Sequence, residues 1–234
     1  MRIRFAIVWL LLLSASVAAE PAVVRIATFN IQNFGATKSN RPAIMAILAK
    51  IVRKYDVVAV QEVSDVTGAA PKKLLTEINK NGAHYRMLLS KRTGEQTDDK
   101  PSAEQYAYYY NSDTVAATGV AQLYPDAAHD YFQREPFVAA FTAGARKFVL
   151  ITIHTQPTLA KEEIAALGPV ITWARTQYPG EDGFIALGDF NCGCGYVSDT
   201  RSRGLRTHAL PYLWIVPDTS DSNMPPGNQC PYDR

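Results

Sequence analysis

The sequence predicts a layered α/β fold in one domain, on three observations. The chain opens with a β-α-β pattern, two buried-strand runs separated by a helix of 3.6-residue period. Further apolar runs bounded by turn residues alternate with helical segments along its length. Finally, 234 residues, 47% of them apolar, with 24 Lys+Arg against 22 Asp+Glu, have the balance of a folded domain with a sizeable core. Disorder, collagen and coiled coil are excluded by the same figures.

The elements follow in order. Val23 to Asn30 and Asp56 to Val63 are apolar and β-branched without helical period, so both predict buried strands that end in polar residues. Between them a helix starts after Asn40 with Pro42 in its first turn, presents Ile44, Ile47, Leu48, Ile51 and Val52 on one face, and closes with Lys50, Arg53 and Lys54 near its negative end. A second helix is predicted from Pro71 to Asn81, stopped by Gly82. Strands are expected at Tyr85 to Ser90 and Gln105 to Tyr110, with a charged, aperiodic loop from Lys91 to Glu104 between them. Val115 to Leu123, Phe137 to Thr142 and Phe148 to His154 continue the strands. A helix from Lys161 to about Tyr178 is expected to kink or divide at Gly168-Pro169, because proline lacks the amide hydrogen. Phe184 to Gly188 is the next buried strand.

Residues 1–19 stand apart from this pattern. Arg2 and Arg4 precede the apolar run Phe5 to Leu13, and Val17-Ala18-Ala19 offers a small-residue cleavage site, which predicts a signal peptide, a secreted or periplasmic protein and a domain over 20–234. Cleavage removes two of the 24 basic residues and no acid, so the remaining chain is neutral. Any polyanion must then be met by a local patch instead of a global positive charge. Three cysteines, Cys192, Cys194 and Cys230, predict one bridge and one spare thiol in an oxidising compartment.

Chemistry gathers at strand ends. Asn30, Gln61-Glu62, His154, and Asp189 with Asn191 each terminate an apolar run, the position where layered α/β folds place ligands. A carboxylate such as Glu62 with an amide such as Asn30 offers hard oxygen ligands suited to Mg²⁺, and His154 offers proton transfer. Taken one at a time, Glu62 or Asp189 would equally serve as a local cap and His154 as an interior histidine; His84, His129 and His208 have that ordinary reading. No histidine pair has zinc spacing, and neither Gly-x-Ser-x-Gly nor the phosphate-loop motif occurs.

Six motifs in order, Ala27-Thr28-Phe29-Asn30-Ile31-Gln32-Asn33-Phe34-Gly35, Val60-Gln61-Glu62-Val63, Arg134-Glu135-Pro136, Ile153-His154, Gly188-Asp189-Phe190-Asn191 and Cys230-Pro231-Tyr232-Asp233-Arg234, resemble those of the deoxyribonuclease I family, within the endonuclease/exonuclease/phosphatase superfamily. The resemblance implies a four-layer α/β/β/α sandwich, two packed mixed sheets flanked by helices, that cleaves DNA phosphodiesters with a divalent metal, Mg²⁺ or alternatively Mn²⁺. It implies that Glu62 and Asn30 bind the metal, that Asp189 and Asn191 orient water and phosphate, that His154 is general acid or base, and that Asp233 orients a second histidine. Arg134, Tyr85 and Tyr196 match positions at the DNA backbone. Cys194 and Cys230 match the family's disulfide, with Cys192–Cys230 as the alternative pairing, and Asp221 matches a structural Ca²⁺ site. The protein is expected to act as a monomer without stable membrane association once residues 1–19 are removed.

Four departures from the family pattern carry expectations of their own. The family continues to a last strand bearing Ser-Asp-His, and no histidine follows Asp233 here, so the sequence predicts a C-terminally incomplete domain, either a fragment or a chain lacking half of the acid/base pair. Lys91 falls where the family has the glutamate that supports the first histidine, with Glu95 or Glu104 as substitutes; Lys91 beside His154 would lower the pKa of the ring. Gln32 and Ser64 replace two phosphate-gripping arginines, which flattens the salt dependence of binding. The loop at Met224-Pro225-Pro226 differs from the family's threonine-rich one. Two rival readings are a sphingomyelinase-like phosphodiesterase or phosphatase acting on lipid headgroups and a non-catalytic binding protein built on a degenerate nuclease.

Overall fold

A computed structural model describes residues 23–94, 103–197, 212–223 and 229–234. The expected signal peptide, Glu95, His208 and Met224 to Pro226 lie outside the described residues.

The strands are β1 (Ile26–Asn30), β2 (Val57–Val63), β3 (Tyr85–Leu89), β4 (Gln105–Asn111), β5 (Ala116–Leu123), β6 (Phe137–Ala143), β7 (Arg146–His154) and β8 (Gly183–Asp189). The helices are α1 (Ala36–Ser39), α2 (Pro42–Val52), α3 (Ala69–Asn79) and α4 (Ala160–Gln177), with a 3₁₀ turn at Pro157–Leu159. Two four-stranded sheets form, in the orders β1-β2-β4-β3 and β5-β6-β7-β8. Both are mixed: β1–β2 and β7–β8 pair parallel and the remaining neighbours antiparallel.

Period-two alternation explains the layers. Val58, Val60, Ala107 and Tyr109 face α2 and α3, while Val57, Ala59, Tyr106, Tyr108 and Tyr110 face the second sheet. There they meet Phe137, Phe141, Phe148 and Leu150, with Tyr108 stacked on Phe137. The outer face of β6 and β7, with Val138, Ala140, Val149, Ile151 and Ile153, is covered by Ile164, Leu167, Val170, Ile171 and Ala174 of α4. Three apolar layers therefore separate helices, sheet, sheet and helix, the expected α/β/β/α sandwich. Among the described residues no helix is long and apolar enough to cross a membrane.

Three local details differ from expectation. β1 begins at Ile26, and α3 begins at Ala69 after Gly68 in the left-handed conformation. Helix α4 is not divided at Pro169. Proline there removes a single amide donor, while the apolar face of Val170, Ile171 and Ala174 stays buried on the sheet, and packing outweighs one lost hydrogen bond.

Candidate active site

The first half of the site is built where β1 and β2 end. Glu62 sits at a register shift between Val60 and Val63 of the β2–β4 pairing and has a positive φ of 59°. Gln32 and Asn33, in the turn after β1, also have positive φ values of 50° and 48°. Such backbone costs an ordinary residue energy and persists where surrounding contacts enforce it. Those contacts are present: Glu62 accepts from Asn30 Nδ2 at 2.8 Å and the Asn33 amide at 2.7 Å, while its carbonyl accepts the Phe34 amide. Behind it, Gln61 is fully buried and donates to Thr152 Oγ1 of β7 at 2.8 Å, tying the two sheets together beneath the site.

The second half comes from the ends of β7 and β8. Their parallel register sets His154 opposite Asp189 and Ile153 opposite Gly188. Gly188 is required there, since its φ is +150° and a Cβ would lie 1.9 Å from the Ile153 carbonyl oxygen. Asn30 joins the halves: its Nδ2 also donates to Asp189 Oδ2 at 2.9 Å, and its Oδ1 accepts the Gln32 amide. Asn30 is thus a donor shared by two carboxylates, with its side-chain oxygen turned to the Gln32 amide. Asn191, with a φ of 46°, donates its amide N–H to Asp189 Oδ1 and its side-chain Nδ2 to the Thr155 carbonyl.

His154 Nδ1 lies 2.7 Å from Glu104 Oε1, and Nε2 lies 3.9 Å from Asp189 Oδ2. Burial pushes the imidazole pKa down, but the Glu104 hydrogen bond and charge more than offset it, and the net direction is up. The supporting carboxylate is therefore Glu104, the second substitute weighed above, and Lys91 points to solvent with no such role. The reason is local: Glu104 pairs with Thr93 in an antiparallel bridge immediately before β4.

Two residues expected at the DNA backbone are held within the protein. Arg134 is buried, its Nε 2.7 Å from Glu104 Oε1 and 3.0 Å from the His154 carbonyl, with Nη2 donating to the Thr155 carbonyl. It braces the histidine from behind instead of reaching outward. Tyr85 opens β3 opposite Asn111, at the far end of the sheet from Glu62, and its hydroxyl donates to the Tyr55 carbonyl at 2.7 Å. Antiparallel pairing makes it a core residue. Tyr196, by contrast, is 46% exposed, with its ring 5.7 Å from that of Tyr232.

Residues 232–234 run antiparallel beside β8, with Asp233 bridged to Asp189 and Arg234 hydrogen-bonded to Gly188. Burial and then the Asp189 charge push the Asp233 carboxyl up to about 6, and its Oδ1 has no hydrogen-bond partner among the described residues. Cys194 and Cys230 form the disulfide that the resemblance implied. Cys192 stays outside it and is fully buried, with Arg234 donating to its carbonyl. Asp221 accepts the Asn223 and Cys230 amides, so its carboxylate braces the disulfide loop. Beside Glu62, a cleft of about 450 Å³ is lined by Gln32, Asn33, Thr37, Lys38, Arg41 and Ser64, among others.

The donor set suits a hard divalent cation. Glu62 Oε1 and Asp189 Oδ2 both accept from the Asn30 nitrogen within 2.9 Å, so the two carboxylates lie on either side of one amide group. No group of three or more His, Cys, Asp or Glu side chains that could hold a metal occurs among the described residues. One or two carboxylates with water and substrate oxygens completing the shell is the manner in which Mg²⁺ is held. The Endonuclease/Exonuclease/phosphatase family matches residues 27–234.

The chain belongs to the endonuclease/exonuclease/phosphatase family. It is 32% identical to human "Deoxyribonuclease gamma" over 96% of this chain and 75% of that protein. It is 34% identical to "Deoxyribonuclease-1" of Rattus norvegicus, over 91% of this chain and 76% of the relative. Human "Deoxyribonuclease-1-like 2" is 35% identical, over 93% and 78%. Among solved structures, an endonuclease/exonuclease/phosphatase family protein from Leptotrichia buccalis shares the fold with a TM-score of 0.56 at 15% identity, covering 79% of this chain and 72% of its own. Membership of this family accounts for the sandwich and for the meeting of strand ends from both sheets.

Proposed function

We propose that the protein is an exported, Mg²⁺-dependent endonuclease that hydrolyses DNA phosphodiester bonds with little sequence preference. The observation that carries this reading is the convergence of Glu62, Asn30, Asp189 and the Glu104-supported His154 from four strand ends, in a chain whose relatives bear deoxyribonuclease names. Mn²⁺ is the alternative ion. Export is supported by the Cys194–Cys230 disulfide and by Arg2, Arg4 and the apolar run that follows them.

In-line displacement at phosphorus needs charge neutralised on the phosphate oxygens and protons moved at both ends. Glu62 would hold a divalent ion, whose charge would neutralise the phosphate oxygens. Glu104 fixes the ring through Nδ1, so His154 holds or moves a proton at Nε2, the nitrogen that faces Asp189. Asn191 locks Asp189 through its backbone amide and leaves the other carboxylate oxygen to face Asn30 and the reaction space. Asp233, bridged to Asp189 and protonated more readily than an ordinary aspartate, is the residue that would orient a second histidine on the other side of the phosphate. Tyr196 offers an exposed aromatic edge to the backbone of the substrate, and Asp221 is retained only as a candidate for structural Ca²⁺.

Substrate class is tested by offering supercoiled plasmid, sphingomyelin vesicles and a phosphomonoester in parallel, each with Mg²⁺ and with EDTA. Metal-dependent nicking alone is the expected result. Turnover of the lipid in preference to DNA would overturn the reading, as would failure to turn over any of the three.

A further inference from the structure

Glu163 is fully buried in the first turn of α4, yet it does not cap its own helix. Its Oε1 accepts the Gln133 amide and its Oε2 the Gln156 amide, both at 3.0 Å. Those amides belong to two different loops. Gln133 precedes Arg134, whose guanidinium holds Glu104 and the His154 carbonyl, and Gln156 lies two residues after His154. Arg134 grips the same pair of segments from the carbonyl side, through the His154 and Thr155 oxygens. Loop amides on one side and loop carbonyls on the other are thus clamped by one buried acid and one buried base.

We propose that Glu163 is a positioning residue of the active site: its carboxylate fixes the two loops that carry Arg134 and follow His154, and so holds the imidazole against Glu104. The inference rests on the nuclease reading for its consequence in turnover. The groups facing Glu163 are Arg134 from the loop before β6, His154 from β7 and Tyr106 from β4, while its helix neighbours Lys161 and Glu162 are exposed. Burial pushes its carboxyl up to about 7, against the opposing pull of the two amides, Arg134 and His154. Protonation turns one acceptor oxygen into a donor that faces an N–H, so one of the two loop bonds is lost. The clamp is complete above about pH 7 and loosens below it.

Glu163→Gln fixes the neutral state at every pH. The expected result is a fall in kcat of about tenfold with KM within about twofold, the signature of misplaced machinery with intact binding. An acid limb near pH 7 in the kcat profile is predicted to disappear, and the His154 imidazole, followed by NMR and assigned with His154→Ala, should titrate at lower pH. Gln156→Pro is a second test that leaves Glu163 in place: the φ of −69° at Gln156 suits proline, and the change deletes one donated N–H. It should lower kcat about threefold at unchanged KM. A folded Glu163→Gln protein with wild-type kcat, pH profile and His154 titration would overturn the proposal; if that variant does not fold, wild-type kcat in Gln156→Pro would do so. The His154 titration reads the clamp even in a chain that cuts nothing, whereas wild-type inactivity on DNA would count against the nuclease reading instead.

Discussion

Under the proposed function, proton chemistry rests on single side chains, and the contact to test is that between His154 and Glu104. Glu104→Gln removes the charge that raises the imidazole pKa above its ordinary value, so the pH dependence of turnover attributed to His154 should move to lower pH. The rate is expected to fall by about 10²-fold, within the range for a general acid or base that has lost its support. Steady-state kinetics from pH 5 to 9 would check both effects, and an unmoved profile would count against the pair. Glu62, His154, Asp189 and Asn191 could be read from the sequence because each ends an apolar run, and strand ends converge in such folds. Glu104 could only be offered alongside Glu95, because a loop without hydrophobic period gives no register. The burial of Tyr85 and Arg134 was not legible for a related reason: a motif gives residue identity, while antiparallel pairing and packing decide which way the side chain faces.

Elements impose their own constraints, and the β7–β8 pair imposes the strictest. Gly188→Ala would drive a methyl group into the Ile153 carbonyl and break the register that sets His154 beside Asp189. A loss of about 2 kcal/mol or more is expected, with activity falling further than stability alone explains. Denaturant midpoints and nicking rates on the same sample would show it; a variant of unchanged midpoint would contradict the geometry. The disulfide joins cysteines 36 residues apart, so its loss in Cys194→Ser should cost about 2–4 kcal/mol, measurable by the same unfolding curves. Strands and the three longer helices, α2, α3 and α4, were foreseeable from periodicity. The single turn α1 is too short to show a period, and α4 continues through Pro169 because tertiary packing outranks local preference.

At the level of the whole molecule, buried titratable groups set the dependence of stability on pH. Glu163, raised to about 7, Asp233, raised to about 6, and His154 all bind protons more readily in the folded chain than in the unfolded one. For each the favourable contribution is fully present below the unfolded pKa and is lost as pH rises through the folded one. Thermal stability without added metal is therefore predicted to be higher at pH 6 than at pH 8, and Glu163→Gln should flatten the slope. A Tm that rises from pH 6 to pH 8 would contradict this. Glu163, which costs stability at neutral pH, is the same acid proposed to position His154, a trade of stability for function.

The most direct test of the central claim is the nicking of supercoiled plasmid by the purified protein with Mg²⁺, beside EDTA, Glu62→Ala and His154→Ala. Nicking that is abolished by EDTA and by Glu62→Ala and reduced about 10²–10⁴-fold in His154→Ala is the predicted result. Near-normal nicking by either folded variant would contradict the assignment of metal binding to Glu62 or of proton transfer to His154.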